Sequence, residues 1–545
     1  MKPSEPAAPA AVTSPATDSP SPSASLAHSA AVIGVATMTS RVLGLVRDQS
    51  LAFFFGASNA MDAFYVAFRI PNLMRDLFAE GTMSAAFVPT FTRRLTTEGR
   101  DVAWRLGTQL INALIVITGV LVLAGIIFAE PLTRLFARDF GEVPGKLELT
   151  VDLTRVMLPF LTLVAVAAAC MGMLNSLHRF FMPALSPAMF NVSMIFSAFT
   201  LVPIMPRFGF QPIVGMALGT LIGGLGQIAI QCPALYQQGY RYRQTLDYKD
   251  PGLREILRLM GPATLGLAAV QINLLVNMIL ATGQGTGAVS WLGYAFRLMY
   301  LPIGLFGVSI ATAAIPDLAR HAAREELAAM RRTISSGLRM MLMLNIPAAV
   351  GLITLASPIV AVIFERGNFM PTDTAATAAA LVFYAPGLIG YSAIKIAAPS
   401  FYALGDSRTP VLVSMVSVLT NLGLNIVLVQ SIGYRGLALG TAIAAGLNAF
   451  ILLLLLRRRL DGLDTARIAT TFTKIALASA IMGIAVVGVE NWLLEIWPGT
   501  GLLTQLVRLF TTIVAGVTTL ILTSRVLRLH ELDEIMKRLR TYLGF

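Results

Sequence analysis

The sequence predicts an all-α polytopic membrane protein of about 14 transmembrane helices: two parallel, pseudo-repeated six-helix lobes followed by two C-terminal helices. Three observations carry this expectation. Of 545 residues, 56% are hydrophobic and 13% charged, with a mean hydropathy of +0.72. Uncharged runs such as Gly107 to Ala129 are long enough to cross the hydrocarbon core of a bilayer. No water satisfies backbone groups there, and the alternating pattern of a barrel is absent, so the runs are helices. The second observation is the charge asymmetry of the connections, and the third is an internal repeat.

Candidate spans begin near residues 29, 60, 107, 151, 182, 212, 256, 288, 334, 376, 410, 434, 469 and 503. With the N-terminus inside, connections on the inner side and the tail hold 24 Lys and Arg. The outer ones hold seven: Arg134, Arg138, Lys146, Arg207, Arg366, Arg435 and Arg508. Such a bias sets orientation and places both termini in the cytoplasm. It also accounts for the net charge of +12 without a nucleic-acid partner.

Residues 1–28 form a Pro-, Ala- and Ser-rich tail expected to be disordered, without the basic start and cleavage pattern of a signal peptide. Residues 29–236 carry helices 1–6 as an N-lobe. Residues 237–456 carry a cytoplasmic loop and helices 7–12 as a C-lobe, and 457–525 carry helices 13 and 14. Residues 526–545 place Leu529, Leu532, Met536, Leu539 and Leu543 at helical spacing. This cytoplasmic tail is either an interfacial amphipathic helix or one that packs on the loops.

The lobes follow from four matches at nearly one offset. "AFR" at Ala67–Arg69 recurs at Ala295–Arg297, 228 residues on; "AFVPTFTR" from Ala86 matches "AAIPDLAR" from Ala313, 227 on. Arg179 pairs with Arg408 at 229, and Pro159 with Pro386 at 227. An offset spanning six helices leaves both halves in the same orientation, related by an axis along the membrane normal. That is a transporter architecture with a central site between the halves.

Catalytic and metal chemistry find little support. Cys170 and Cys232 are neither a metal-spaced cluster nor a redox pair, and His28, His178, His321 and His530 fall at span ends or in connections. Neither a Walker A loop nor a GxSxG elbow occurs. The expectation is a protein that is not an enzyme, with no cofactor and no metal, an intramembrane enzyme built on Arg, Asp and Glu being the weaker alternative.

Charge inside the apolar runs is the functional clue. The stretch Ser40 to Gly81 contains Arg41, Arg47, Arg69 and Arg75 with Asp48, Asp62, Asp76 and Glu80. Charges at membrane depth are costly and face a protein interior or a wet cavity. At 100° per residue, Asp62, Arg69, Asp76 and Glu80 fall within about 40° of one another, while Arg75 projects elsewhere. Two readings stay open: mutual salt bridges that set packing, or arginines left available to an anion, whose oxygens a guanidinium fork fits. Arg297 stands in the eighth span with no acid in its own helix. Lys395 is similarly isolated but long enough to reach the interface.

The blocks "SRVLGLVRD", "DAFYVAFRIPNLMRDLFAEGTMSAAFVP", "GMLNSLHRFFMPALSPAMFNVSMI", "GPATLGLAAVQINLLVN" and "APSFYALGDSRTPV" closely resemble the MurJ (MviN) lipid II flippases of the multidrug/oligosaccharidyl-lipid/polysaccharide exporter superfamily. The resemblance implies fourteen helices around a cationic cavity. There the undecaprenyl-diphosphate-linked peptidoglycan precursor is taken from the cytoplasmic to the periplasmic leaflet by alternating access, for cell wall synthesis. It implies a multi-pass protein of the bacterial inner membrane, with lipid II, membrane lipids and cell-wall synthesis proteins as partners. Arg41, Arg47, Arg75 and Arg297 correspond to substrate-binding arginines, and Asp48, Asp62 and Glu80 to cavity or gating acids. The sequence departs from some relatives at Phe296 and Tyr300, where they carry acids, and in the seventh helix, where Gln271 and Asn273 stand without an acid, leaving a sodium site doubtful. The rival readings are a flippase for another undecaprenyl-linked glycan, a cation-coupled exporter of the same superfamily, and a non-transporting scaffold of cell-wall assembly.

Overall fold

The computed structural model describes residues 22–76, 86–245 and 247–533. Among them the regular structure is entirely helical. Ten helices are long and apolar enough to cross a membrane, or eleven when one bent pair counts as a single span. The protein is thus a multi-pass membrane protein, and the described residues account for ten or eleven of the fourteen expected spans by this measure. The charged helices α1 (Pro22–Phe55), α2 (Asn59–Arg75) and α10 (Pro251–Thr282) are not among the ten.

The repeat reappears as a repeated pattern of breaks. Helix α4 (Arg100–Ile127) leads into the short α5 (Ala129–Phe136) and then the broken pair α6 (Lys146–Met157) and α7 (Phe160–Ser176). Helix α13 (Leu327–Thr354), of the same 28 residues as α4, leads into α14 (Ala356–Phe364) and the pair α15 (Pro371–Tyr384) and α16 (Gly387–Ala403). Pro159 and Pro386 stand at the equivalent breaks. Proline lacks the N–H that would continue the ladder and clashes with the carbonyl four residues back. The second break bends the chain by 44°. Helix α3 (Val88–Thr97) corresponds in the same way to α12 (Val308–Ala323), which follows α11 (Ala288–Pro302) through a π-helical turn.

Each half closes with a tightly packed antiparallel pair: α8 (Phe181–Ile204) with α9 (Val214–Gln237), and α17 (Arg408–Ile432) with α18 (Tyr434–Arg459). Glycines four apart allow the approach, as small residues do between membrane helices. A Cβ at Gly215 would lie 2.8 Å from the Val202 nitrogen, and one at Gly436 2.4 Å from the Leu428 oxygen. Helix α10 is tied to α17 through neutral amides: Asn425 donates to Asn277 at 2.6 Å and to Asn421 at 2.9 Å.

Helices α19 (Thr465–Ile496) and α20 (Leu502–Val526) pack outside the repeat, α19 against α13. The following segment returns to the second half: Leu529 and Leu532 are buried in a cluster with Ile334, Leu338 and Ile475. Glu531 is buried in an ion pair with Arg339 of α13. The start of the tail therefore packs on the protein. Met536, Leu539 and Leu543 lie outside the described residues, as do residues 1–21 of the N-terminal tail.

Candidate functional site

Helix α1 passes its middle turns beside α2, α8 and α11, and a cavity of about 400 Å³ opens there. Arg41, Arg47, Arg75 and Arg297 all line it. The four arginines singled out in the sequence, three from the first half and one from the second, are thus brought to one place. Between them stands Asp48, 1% exposed. Its Oδ1 accepts from Arg47 at 2.8 Å and its Oδ2 lies 2.7 Å from Nε of Arg297. One carboxylate is thereby shared by a guanidinium of each half.

The remaining arginines are positioned from neighbouring elements. Arg47 also donates to the Asn191 side-chain oxygen at 3.0 Å, and Asn191 in turn donates to the Ser40 carbonyl at 3.0 Å, which locks α8 to α1. Arg75 pairs with Asp76 at 2.8 Å. The guanidinium of Arg41 lies directly against Gly304 in the π-turn after α11: a Cβ there would meet its Nη1 at 1.5 Å. Four guanidinium groups thus converge on one cavity, and charge-assisted bonds to an anion are the chemistry such a cluster offers.

Arg69, the repeat counterpart of Arg297, does not line the cavity. It donates to Gln271 of α10 at 2.9 Å, and Gln271 donates to Asp76 at 3.3 Å. The stripe read from helical angles is thus partly a tether between α2 and α10. Arg75 lines the cavity, but its guanidinium reaches Asp76 of the stripe at 2.8 Å.

Asp62 is not a cavity acid, which corrects one half of its sequence-based assignment. It sits in the first turn of α2, ~20 Å along the helix axis from Arg75 at 1.5 Å per residue. There it is fully buried and accepts from the Gly287 and Ser290 backbone N–H groups at 2.7 and 3.1 Å and from the Ser290 hydroxyl at 2.7 Å. Lys146 of α6 donates to it at 3.0 Å. A carboxylate of the first half thus caps the positive N-terminus of α11 in the second. Lys146, counted in the sequence among loop residues, is 3% exposed and lies over the Phe140 ring at 4.0 Å. Glu80 lies outside the described residues.

The same end of the molecule is closed by backbone contacts. Gly56, in the turn between α1 and α2, has φ +58°, and a Cβ on it would lie 2.2 Å from the Asn368 carbonyl oxygen. Asn368 donates its backbone N–H to the Phe53 carbonyl at 2.9 Å and its amide to the Phe54 carbonyl at 2.6 Å. Asn191 and Lys146 escape sequence reading because a single amide or a lysine near a span end carries no distinctive signal. Only their partners, 144 and 84 residues away, reveal them.

A family model described as lipid II flippase MurJ matches residues 51–521. A probable lipid II flippase MurJ of Vibrio cholerae is 36% identical over 466 residues, covering 84% of this chain and 88% of the relative. The lipid II flippase MurJ of Burkholderia cenocepacia is 35% identical over 430 residues, covering 78% and 82%. Among solved structures, lipid II flippase MurJ in an inward closed conformation superposes with a TM-score of 0.74 at 27% identity, covering 91% of this chain and 98% of that one. An inward-facing multidrug resistance transporter of the MATE family shares the fold, with a TM-score of 0.64 at 18% identity.

Proposed function

The chain belongs to the lipid II flippase MurJ family, a family of transporters and not of enzymes, and from that premise we propose how its arginine cavity handles the substrate. The substrate is lipid II, whose undecaprenyl chain stays in the bilayer while its charged head crosses. Arg47, Arg75 and Arg297 bind the diphosphate, with Arg41 adding to the same field. Asp48 orients Arg47 and Arg297, and Asp62 acts as a gate residue. The observation that carries this reading is the convergence of four arginines, three from one half and one from the other, on one cavity.

In this proposal the protein lies in the bacterial inner membrane with both termini cytoplasmic, in line with the charge bias of its connections. Residues 29–236 and 237–456 are the two lobes. The α1–α2 turn then faces the periplasm, closed by Asp62 and Asn368, and the cavity is loaded from the cytoplasmic leaflet. Diphosphate competes with Asp48 for Arg47 and Arg297, one on each lobe. Because only differential affinity for two states can move their equilibrium, replacing a shared internal carboxylate by a bridging ligand is what couples loading to lobe movement. An organic cation would meet four cavity-lining guanidinium groups here, which disfavours the cation-exporter reading.

The test is translocation of lipid II in cells lacking any other lipid II flippase, following its exposure at the outer leaflet. Arg47→Ala and Arg297→Ala, present in the membrane at normal levels, are expected to abolish exposure. Normal exposure with both variants would remove the phosphate-binding role.

A further inference from the structure

We infer a sugar subsite beside the arginines, formed by Asn72 and Tyr300. It rests on the diphosphate reading above and adds the group recognised next to it. The two residues are repeat equivalents: the offset of 228 that carries Arg69 to Arg297 carries Asn72 to Tyr300. Both line the cavity, one from α2 and one from α11, so each half contributes one uncharged group. Each stands three residues from a cavity arginine, Asn72 from Arg75 and Tyr300 from Arg297, a spacing that keeps the members of each pair on one helix face.

Their surroundings point to a ligand. The Asn72 side-chain oxygen is buried and has no hydrogen-bond partner among the described residues. A buried acceptor of this kind is costly unless something supplies the donor. Tyr300 is 39% exposed at the cavity wall, and its ring stacks on Phe296 with centroids 5.8 Å apart and planes at 29°. The stacking holds the ring in one orientation. Gln227 of α9 adds a further amide to the same lining.

An oriented aromatic ring and an unpaired amide oxygen lining one cavity fit an N-acetylated pyranose, which has a C–H face for the ring and amide and hydroxyl hydrogens for the oxygen. In a glycosyl diphosphate lipid the first sugar is bonded directly to phosphate. With a phosphate on Arg75, the sugar bonded to it falls one helical turn along α2, at Asn72, and Tyr300 stands at the equivalent level of α11. The pair therefore selects sugar-bearing lipid over the bare diphosphate lipid, which the arginines alone would bind equally well.

The experiment measures binding of purified full-length protein in lipid nanodiscs to two probes: undecaprenyl diphosphate, and undecaprenyl diphosphate carrying one N-acetylhexosamine. The natural protein is expected to prefer the sugar-bearing probe by about tenfold, the scale of one good aromatic contact plus a hydrogen bond. Asn72→Ala and Tyr300→Ala should each reduce that preference severalfold while leaving undecaprenyl diphosphate affinity unchanged, which also shows the variants are folded. Tyr300→Phe should keep the preference, and Arg297→Ala should weaken both probes. Equal affinity of the natural protein for the two probes would overturn the subsite and leave the diphosphate reading standing, as would an unchanged preference in both alanine variants. Equal weakening of both probes in those variants and in Tyr300→Phe also overturns it. Binding of neither probe by the natural protein would overturn both proposals.

Discussion

The two halves of this protein meet near Asp62 and again near Asp48, and the two carboxylates are satisfied in opposite ways. Asp62 has its donors supplied by fixed groups: two backbone N–H groups at a helix N-terminus, a hydroxyl, and a lysine 3% exposed. Asp48 is as buried, but its partners border an open cavity, and Arg297 is 41% exposed. The first arrangement leaves nothing for a ligand to replace, so it acts as a lock. The second leaves guanidinium groups that can exchange one anion for another, which is what the proposed binding site requires. Equal burial of two acids therefore says little about their roles until the freedom of their partners is compared.

The largest effect should come from breaking the lock. Asp62→Ala strands the Lys146 charge among apolar groups and removes the cap of α11. Stranding one member of a buried ion pair costs about 3–5 kcal/mol. A clear fall in Tm is expected, with new labelling of a cysteine placed at Asn59 by a membrane-impermeant thiol reagent. The double variant Asp62→Ala/Lys146→Met should recover much of the loss, because no charge remains buried. If the double variant is no better than the single one, the cap on α11 rather than the ion pair holds the seal.

Gly56→Ala tests the backbone part of the same seal and should rank second. Its positive φ costs an alanine about 1–2 kcal/mol, and the new Cβ would be pushed against the Asn368 carbonyl. Increased labelling at the α1–α2 turn with the cavity arginines untouched is the expected result. Asp48→Asn should come third in stability, below the about 1.5–3 kcal/mol of a lost charged hydrogen bond, because both arginines can turn into the cavity. If it destabilises as much as Asp62→Ala, the contrast between lock and binding site fails.

How much of this was readable beforehand depends on the kind of signal. Arg41, Arg47, Arg75 and Arg297 stand out because a guanidinium in an apolar helix has few innocent explanations, and all four reach the cavity. Asp62 was grouped with Arg69 and Asp76 because a helical wheel reports direction and discards depth. The three share a face, but Asp62 lies at the far end of α2. The match of Arg69 to Arg297 likewise gives equivalent positions, but Gln271 holds Arg69 out of the cavity. The repeat was legible, since short matched motifs and the proline at each break are written locally. The span count stands at ten or eleven among the described residues, with α1, α2 and α10 not counted, so the fourteen expected from the sequence are not all in view.

The smallest effect is expected where the halves are joined by a pair that keeps some contact with water. Asp250, the N-cap of α10, accepts from the Gly252 and Leu253 N–H groups and pairs with Arg94 of α3 at 3.0 Å. Burial raises its pKa, but the hydrogen bonds from Arg94 and Leu253 outweigh that and hold it below the ordinary aspartate value. A carboxylate depressed in this way contributes stability that is full above about pH 3.9, the unfolded value, and fades as pH falls through the lower folded one. Unlike the Asp62 lock it borders water, so Asp250→Asn should cost only about 0.5–1 kcal/mol. Added salt should shrink that difference, because ions screen charges near the surface and not those in a dry interior. Melting curves at low and high salt check this directly. A salt-dependent loss for Asp250→Asn beside a salt-independent one for Asp62→Ala is the expected pattern. Equal salt response at the two sites would mean that water reaches Asp62 as freely as Asp250, and that the seal is not dry.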